Sequence, residues 1–373
     1  MYVIQIHGLK SSRGIIFFWS VNLNTFGQSF KQMSRILVTG GCGYIGSHTI
    51  VDLIRSGYEV LSLDSLVNSD ENVLSGIEAI TGKRIDNVRI DLKSSDAIHE
   101  LRALEGNFDG VIHFAALKSV GDSTRNPLEY YRNNVDGLIN ILYWVKERKI
   151  PWFIFSSSCT VYGDTDRLPV VEDLPFLPAG SPYGRTKQMC ELILADVYHT
   201  FGTDQKAISL RYFNPAGAHE SHLIGESPIN DPQNLVPIIT ETAFGKRPFF
   251  TVFGTDYPTR DGSCIRDYIH VMDLARAHTL ALDYLKAGNQ TEPVDAFNLG
   301  IGDGVSVLEA IKAFEEVNNI RLSYKLGSRR AGDLPAVYAN IDKAAKLLNW
   351  HPQKSIEDIM SDAWTWEQKR NLY

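Results

Sequence analysis

From about residue 35 onward the spacing of hydrophobic and polar positions changes period again and again. Short, nearly unbroken apolar runs at 36–39, 59–63, 88–90, 110–114, 152–156 and 207–212 read as strands buried on both faces. Between them, stretches such as 45–56 and 135–148 carry apolar residues every three to four positions, the period of an amphipathic helix. Alternation of this kind predicts an α/β fold, a Rossmann-like doubly wound parallel sheet covered on both faces by helices.

Beyond about residue 215 the alternation loosens. Pro, Gly and Asn accumulate in "ESPINDPQNLVP" and "FGTDYPTRDGS", with helical patterns at 235–244, 271–285, 306–317 and 341–348. The expected organisation is a core at 34–215 and a smaller C-terminal α/β lobe at 216–373, either separate from the core or interleaved with it. Residues 1–33 precede the first core strand as an extension expected to be poorly ordered. Met33 opens "MSRILVTGG", a natural start for the compact part, so an upstream reading of the start codon is the alternative. Lys10 and Arg13 before "GIIFFWSV" resemble the basic and apolar parts of a signal peptide, but no small-residue cleavage site follows.

The dominant local signal is "ILVTGGCGYIGSH". A buried strand runs into Gly40, Gly43 and Gly46, and a helix follows at once. Glycines there permit a tight turn, close approach of a pyrophosphate to backbone N–H groups, and close helix–strand packing. The helix N-terminus favours the phosphate charge. Asp64 ends the second strand, where its carboxylate would accept both hydroxyls of an adenosine ribose and repel a 2′-phosphate, which favours NAD over NADP. Asp91 ends the third strand, within reach of an adenine amino group.

Charge and composition narrow the partners. The formal net charge of −7 argues against nucleic acid, since phosphate backbones require a basic surface. No apolar run reaches the roughly 18–20 residues of a membrane-spanning helix. Cys42, Cys159, Cys190 and Cys264 show neither paired nor metal-ligand spacing, so free thiols, a cytoplasmic location and no metal site are expected.

Two further segments carry chemistry. "VIHFAALKSVG" ends a strand in small residues followed by Lys118, which could reach a phosphate or a sugar hydroxyl. "FIFSSSCTVYGD" sets Ser156, Ser157 and Ser158 at the carboxyl end of another strand, where ligands bind in open α/β sheets. Downstream, "SPYGRTK" offers Ser181 as an N-cap, Pro182 at the first helical position, Tyr183 in the first turn and Lys187 one turn further on the same face. Tyr-x-x-x-Lys alone is a common surface pattern; after a dinucleotide loop and a serine-bearing strand end it suggests a Ser/Tyr/Lys site.

In this order, these motifs resemble those of the extended short-chain dehydrogenase/reductase superfamily. Together with "PLEYYRNNV", "LRYFNPAGAH", "RDYIHVMDLA" and "RRAGDLPA" they are similar to the UDP-glucose/UDP-galactose 4-epimerase family across roughly residues 34–370. The resemblance implies NAD as cofactor, a UDP-sugar as substrate, a 4-keto intermediate and a homodimer. It assigns Tyr183 as base, Lys187 as the charge that lowers its pKa and holds the nicotinamide ribose, and Ser158 as partner of the C4 oxygen. It adds Tyr44, Ile45, Asn68, Ser69, Leu92, Phe114, Asn133 and Phe213 to the cofactor contacts. Arg266 and Arg330 would grip the diphosphate; Lys118, Asn214, Asn234, Leu235, Phe253, Asp333 and Val337 complete the substrate set. Dehydratases of the superfamily carry an Asp-Glu pair where Cys159 and Thr160 stand, and decarboxylases need a carboxylate-handling site that is not evident. A non-catalytic NAD-binding regulator would commonly lose Tyr183 or Lys187. Val337 stands where family members restricted to unmodified hexoses tend to carry Tyr, so acceptance of 2-N-acetylated sugars is expected.

Overall fold

The structure is a computed structural model that describes residues 5–11, 14–20, 33–330 and 332–372. It divides into Met1–Met33 and Ser34–Tyr373. In the first unit Gln5–Ser11 and Gly14–Ser20 pair as an antiparallel hairpin, Gln5 opposite Ser20. The remainder of the extension, which was expected to lack order, lies outside the described residues.

The second unit is built on seven strands: β1 (Arg35–Thr39), β2 (Glu59–Leu63), β3 (Asn87–Val88), β4 (Gly110–His113), β5 (Trp152–Ser158), β6 (Lys206–Tyr212) and β7 (Val294–Leu299). They are parallel throughout, in the spatial order β7-β6-β5-β4-β1-β2-β3. Strand side chains alternate between faces, and both faces are buried. Ile36, Val38, Ile112 and Ile154 point into one core with α1 (Tyr44–Arg55). Leu37, Val111, Phe153 and Phe155 point into the other, with α2 (Gly137–Arg148) and α3 (Pro182–Tyr198). This two-sided burial is why the strands read as continuous apolar runs.

The smaller lobe packs α4 (Leu235–Phe244), α6 (Val307–Asn318) and α7 (Ile356–Arg370) around Ile239, Phe314 and Met360. Between α4 and α6 the chain returns to the sheet. There α5 (Val271–Lys286) covers the first core through Leu274, Ala277 and Leu282, and β7 adds the last strand. Elements of the core and the lobe therefore interleave along the chain.

Several expectations shift in detail. The third strand pairs only over Asn87–Val88 rather than 88–90; Ile90 is buried but beyond the ladder. The helix expected from 135 starts at Gly137, because Arg132–Asp136 winds as a π-helical turn. β7 escaped the apolar pattern because "VDAFNL" mixes Asp and Asn into a strand that is only half-buried at its start. The helix Ile356–Arg370 was not expected from its mixed composition; Ser355 and Asp358 start it with a reciprocal capping box.

Candidate active site

The strand order reverses between β1 and β4, and a crevice opens at the carboxyl ends of the strands there. Gly40 leaves β1 with φ +71°, and a Cβ on it would lie 2.9 Å from the backbone N of Ala115 after β4. A Cβ on Gly46 would lie 2.2 Å from the carbonyl oxygen of Gly40. Both positions are closed to any side chain. Gly43, by contrast, would meet only the Gly40 oxygen, at 3.1 Å, and it begins α1 with no side-chain cap. The first-turn N–H groups of Tyr44 and Ile45 therefore have no partner within the helix, the arrangement that accepts a phosphate.

Around this cradle the expected cofactor residues have defined partners. Buried Asp64 accepts from the Cys42 N–H (3.1 Å) through Oδ2, and from the Leu66 N–H (2.9 Å) and Ser69 hydroxyl (2.7 Å) through Oδ1. Its carboxylate therefore organises the loop that holds exposed Asn68. Asp91 accepts from the Lys93 N–H at 3.2 Å, and Leu92 is buried under α2. Phe114 lies 4.8 Å from the ring of His278. Phe213 is buried, its N–H donating to the Leu299 carbonyl. Tyr44 donates to the Gly217 carbonyl at 2.7 Å. Lys118 pairs with Glu226 at 3.2 Å and sits 5.8 Å above the Tyr44 ring. Asn133 donates to Asn134, and it is Asn134 that ties the Lys118 segment down, exchanging hydrogen bonds with both backbone groups of Leu117 and donating to Thr186.

At the end of β5 the three predicted residues converge. Ser181 caps α3 by accepting from the Gly184 N–H at 3.2 Å, with Pro182 at its first position and Tyr183 in its first turn. Lys187 is buried; its ammonium donates to the Ser156 carbonyl at 2.6 Å and lies 5.9 Å from the centre of the Tyr183 ring. The Ser158 hydroxyl accepts from the N–H and hydroxyl of Thr160, at 3.2 and 3.0 Å. Burial draws Lys187 down to about 8. Burial also pushes the Tyr183 phenol up, and the hydrogen-bonding influence of Ser158 opposes it. Within the protein alone desolvation dominates at Tyr183, and Ser158 is the group that opposes it.

The residues expected to hold a diphosphate also gather. Asp333 pairs with Arg330 (2.8 Å) and Arg266 (3.5 Å). The Arg330 guanidinium lies 5.6 Å from the Phe253 ring. Val337 pairs in register with Arg266 between two short parallel strands. Asn214 begins the short strand Asn214–Ala216 beside Tyr268–His270. Exposed Asn234 precedes Leu235 at the start of α4 without capping it, and so its amide is not used by the helix. Burial pushes the Cys159 thiol up to about 12, and the Arg266 charge opposes that rise.

The comparisons decide the family. A family model described as GDP-mannose 4,6 dehydratase matches residues 37–363. A UDP-glucose 4-epimerase from Dictyostelium discoideum is 45% identical over 333 residues, 89% of this chain and 95% of that protein. A UDP-glucose 4-epimerase from Stenotrophomonas maltophila, solved with bound NAD and formylated UDP-arabinopyranose, superposes with a TM-score of 0.86 at 43% identity, covering 91% of this chain and 99% of that one. Another from Bifidobacterium longum, in complex with NAD+ and UDP, gives 0.85 at 41% identity, over 91% and 99%. This chain belongs to the UDP-glucose 4-epimerase family.

Within that family the site suits the cofactor on its own geometry: two glycine positions closed to side chains, an uncapped helix start and a buried carboxylate at the second strand. It does not suit a dehydratase. Thr160 donates its hydroxyl to Ser158, and neither it nor Cys159 can act as a carboxyl acid–base pair. Sequence reasoning missed Asn134 and Glu226, whose partners lie 17 and 108 positions away. Among the described residues no helix is long and apolar enough to cross a membrane.

Proposed function

We propose that this protein interconverts UDP-galactose and UDP-glucose by inverting C4 of the hexose, with NAD bound in the glycine cradle. The observation that carries the reading is the convergence of Ser158, Tyr183 and Lys187 at the end of β5. NAD, when bound, supplies a hydride acceptor that can return the hydride, together with a positive ring charge. Tyr183, as phenolate, takes the proton from the C4 hydroxyl as the 4-keto sugar forms, and returns it to the same oxygen when C4 is reduced on its other face. Ser158 bonds the same oxygen, and Lys187 keeps an ammonium beside the phenol. Arg266 and Arg330 exchange Asp333 for the diphosphate, a planar, bidentate match. With the nucleotide held there, the keto sugar is free to turn over without leaving.

Val337, a small side chain in register with Arg266, supports acceptance of UDP-N-acetylglucosamine and UDP-N-acetylgalactosamine as well. Exposed Ile139 and Tyr143 on α2 and Met189 and Leu192 on α3 form apolar surface on helices over the same core, which supports a homodimer. The free thiols of Cys42, Cys159, Cys190 and Cys264 suit a reducing cytoplasm. Turnover of UDP-galactose without added NAD tests the central reading. Tyr183→Phe is expected to lower kcat at least about 100-fold with the cofactor still bound; near-normal turnover would refute the assignment.

A further inference from the structure

Behind the candidate site lies a buried ion pair that the chemistry above does not use. Glu191 follows Tyr183 and Lys187 on the same face of α3, one turn beyond the lysine. It meets Arg211 of β6, with Nη2 to Oε2 at 2.8 Å and Nε to Oε1 at 3.1 Å; the side chains are only 6% and 8% exposed. The remaining guanidinium nitrogen donates to the Tyr162 hydroxyl at 3.0 Å and the Glu172 carbonyl at 2.9 Å. Glu191 also accepts from the hydroxyl of Ser157.

That last contact connects the pair to the reaction. Ser157 stands between Ser156, whose carbonyl holds the Lys187 ammonium, and Ser158, whose hydroxyl acts on Tyr183. The three serines divide the work: a backbone oxygen for the lysine, a buried hydroxyl for Glu191, a second hydroxyl for the site. Apolar side chains of matching volume commonly serve stability as well as a buried ion pair does, or better. The pair supplies what apolar contacts do not, a direction-specific link between α3, β5 and β6. From this geometry we infer that Glu191 and Arg211 are positioning residues: acting through Ser157, they lock the tyrosine–lysine helix in register with the serine-bearing strand. The inference rests on the epimerase reading of the site.

The test separates register from stability. Glu191→Met combined with Arg211→Met removes both charges and leaves neither unpaired. The expected result is a melting temperature within a few degrees of the unmodified protein, kcat for UDP-galactose about 10- to 100-fold lower and KM within about threefold, because small misplacement of reacting groups costs rate more than binding. A folded double variant with kcat within twofold of the unmodified protein would overturn the inference. Should the double variant not fold, Ser157→Ala decides. It keeps the ion pair and is expected to lower kcat about 3- to 10-fold, whereas unchanged kcat overturns the inference. An unmodified protein without epimerase turnover would instead refute the reading on which the inference rests.

Discussion

Replacing Lys187 by methionine separates what this residue does for activity from what it does to stability. The ammonium is buried, with the Ser156 carbonyl as its hydrogen-bond acceptor and the Phe155 ring 4.8 Å away. Its pKa falls from the ordinary 10.5 to about 8 because burial disfavours the charged form. At about 1.4 kcal/mol per decade, that costs the charged native state roughly 3 kcal/mol at neutral pH. Methionine fills similar volume without this penalty, but leaves the Ser156 carbonyl unpaired at a cost of about 1–3 kcal/mol. Lys187→Met is thus expected to match or exceed the unmodified protein by up to about 2 kcal/mol at pH 7, while kcat falls about 100-fold or more. The sign with pH follows from proton counts. Between pH 8 and 10.5 the unfolded chain binds more protons at this site than the native protein, so the unmodified protein gains stability as pH rises. Urea titrations of both proteins from pH 7 to 9.5 should show the advantage of the variant shrinking steadily. A pH-independent difference, or a variant less stable by more than about 2 kcal/mol at pH 7, would refute the desolvation argument.

Other expectations follow from single contacts. Gly46→Ala places a Cβ 2.2 Å from the Gly40 oxygen, so purified protein should retain little NAD, read as the cofactor absorbance released on denaturation. Val337→Tyr narrows the space beside Arg266; turnover of UDP-N-acetylgalactosamine should drop about 10-fold or more while UDP-galactose stays within about threefold, and equal losses would count against the specificity role. Leu192, 56% exposed on α3, should be buried in a homodimer, so Leu192→Arg is expected to shift the mass seen by light scattering to the monomer.

The division between local and global information runs through the site itself. Gly40, Gly43 and Gly46 between a strand and a helix are legible in sequence because backbone conformation and close approach are properties of a few neighbouring residues. The same holds for Ser181 and Pro182 starting α3, which places Tyr183 and Lys187 by helical spacing alone. Strands β1, β4, β5 and β6 were legible because burial on both faces removes polar residues. β7 was not, since "VDAFNL" is half-buried at its start and becomes a strand only through pairing with β6, which lies more than 80 residues earlier. Only the tertiary structure decided the ionisation of the site. Tyr183 and Lys187 look like a phenol and the charge that tunes it, but desolvation moves both toward their neutral forms, and desolvation depends on which distant elements close over them. The pairing of Glu191 with Arg211 and Ser157 was likewise beyond the sequence, because each partner is an ordinary polar residue until three separate elements bring them to hydrogen-bonding distance.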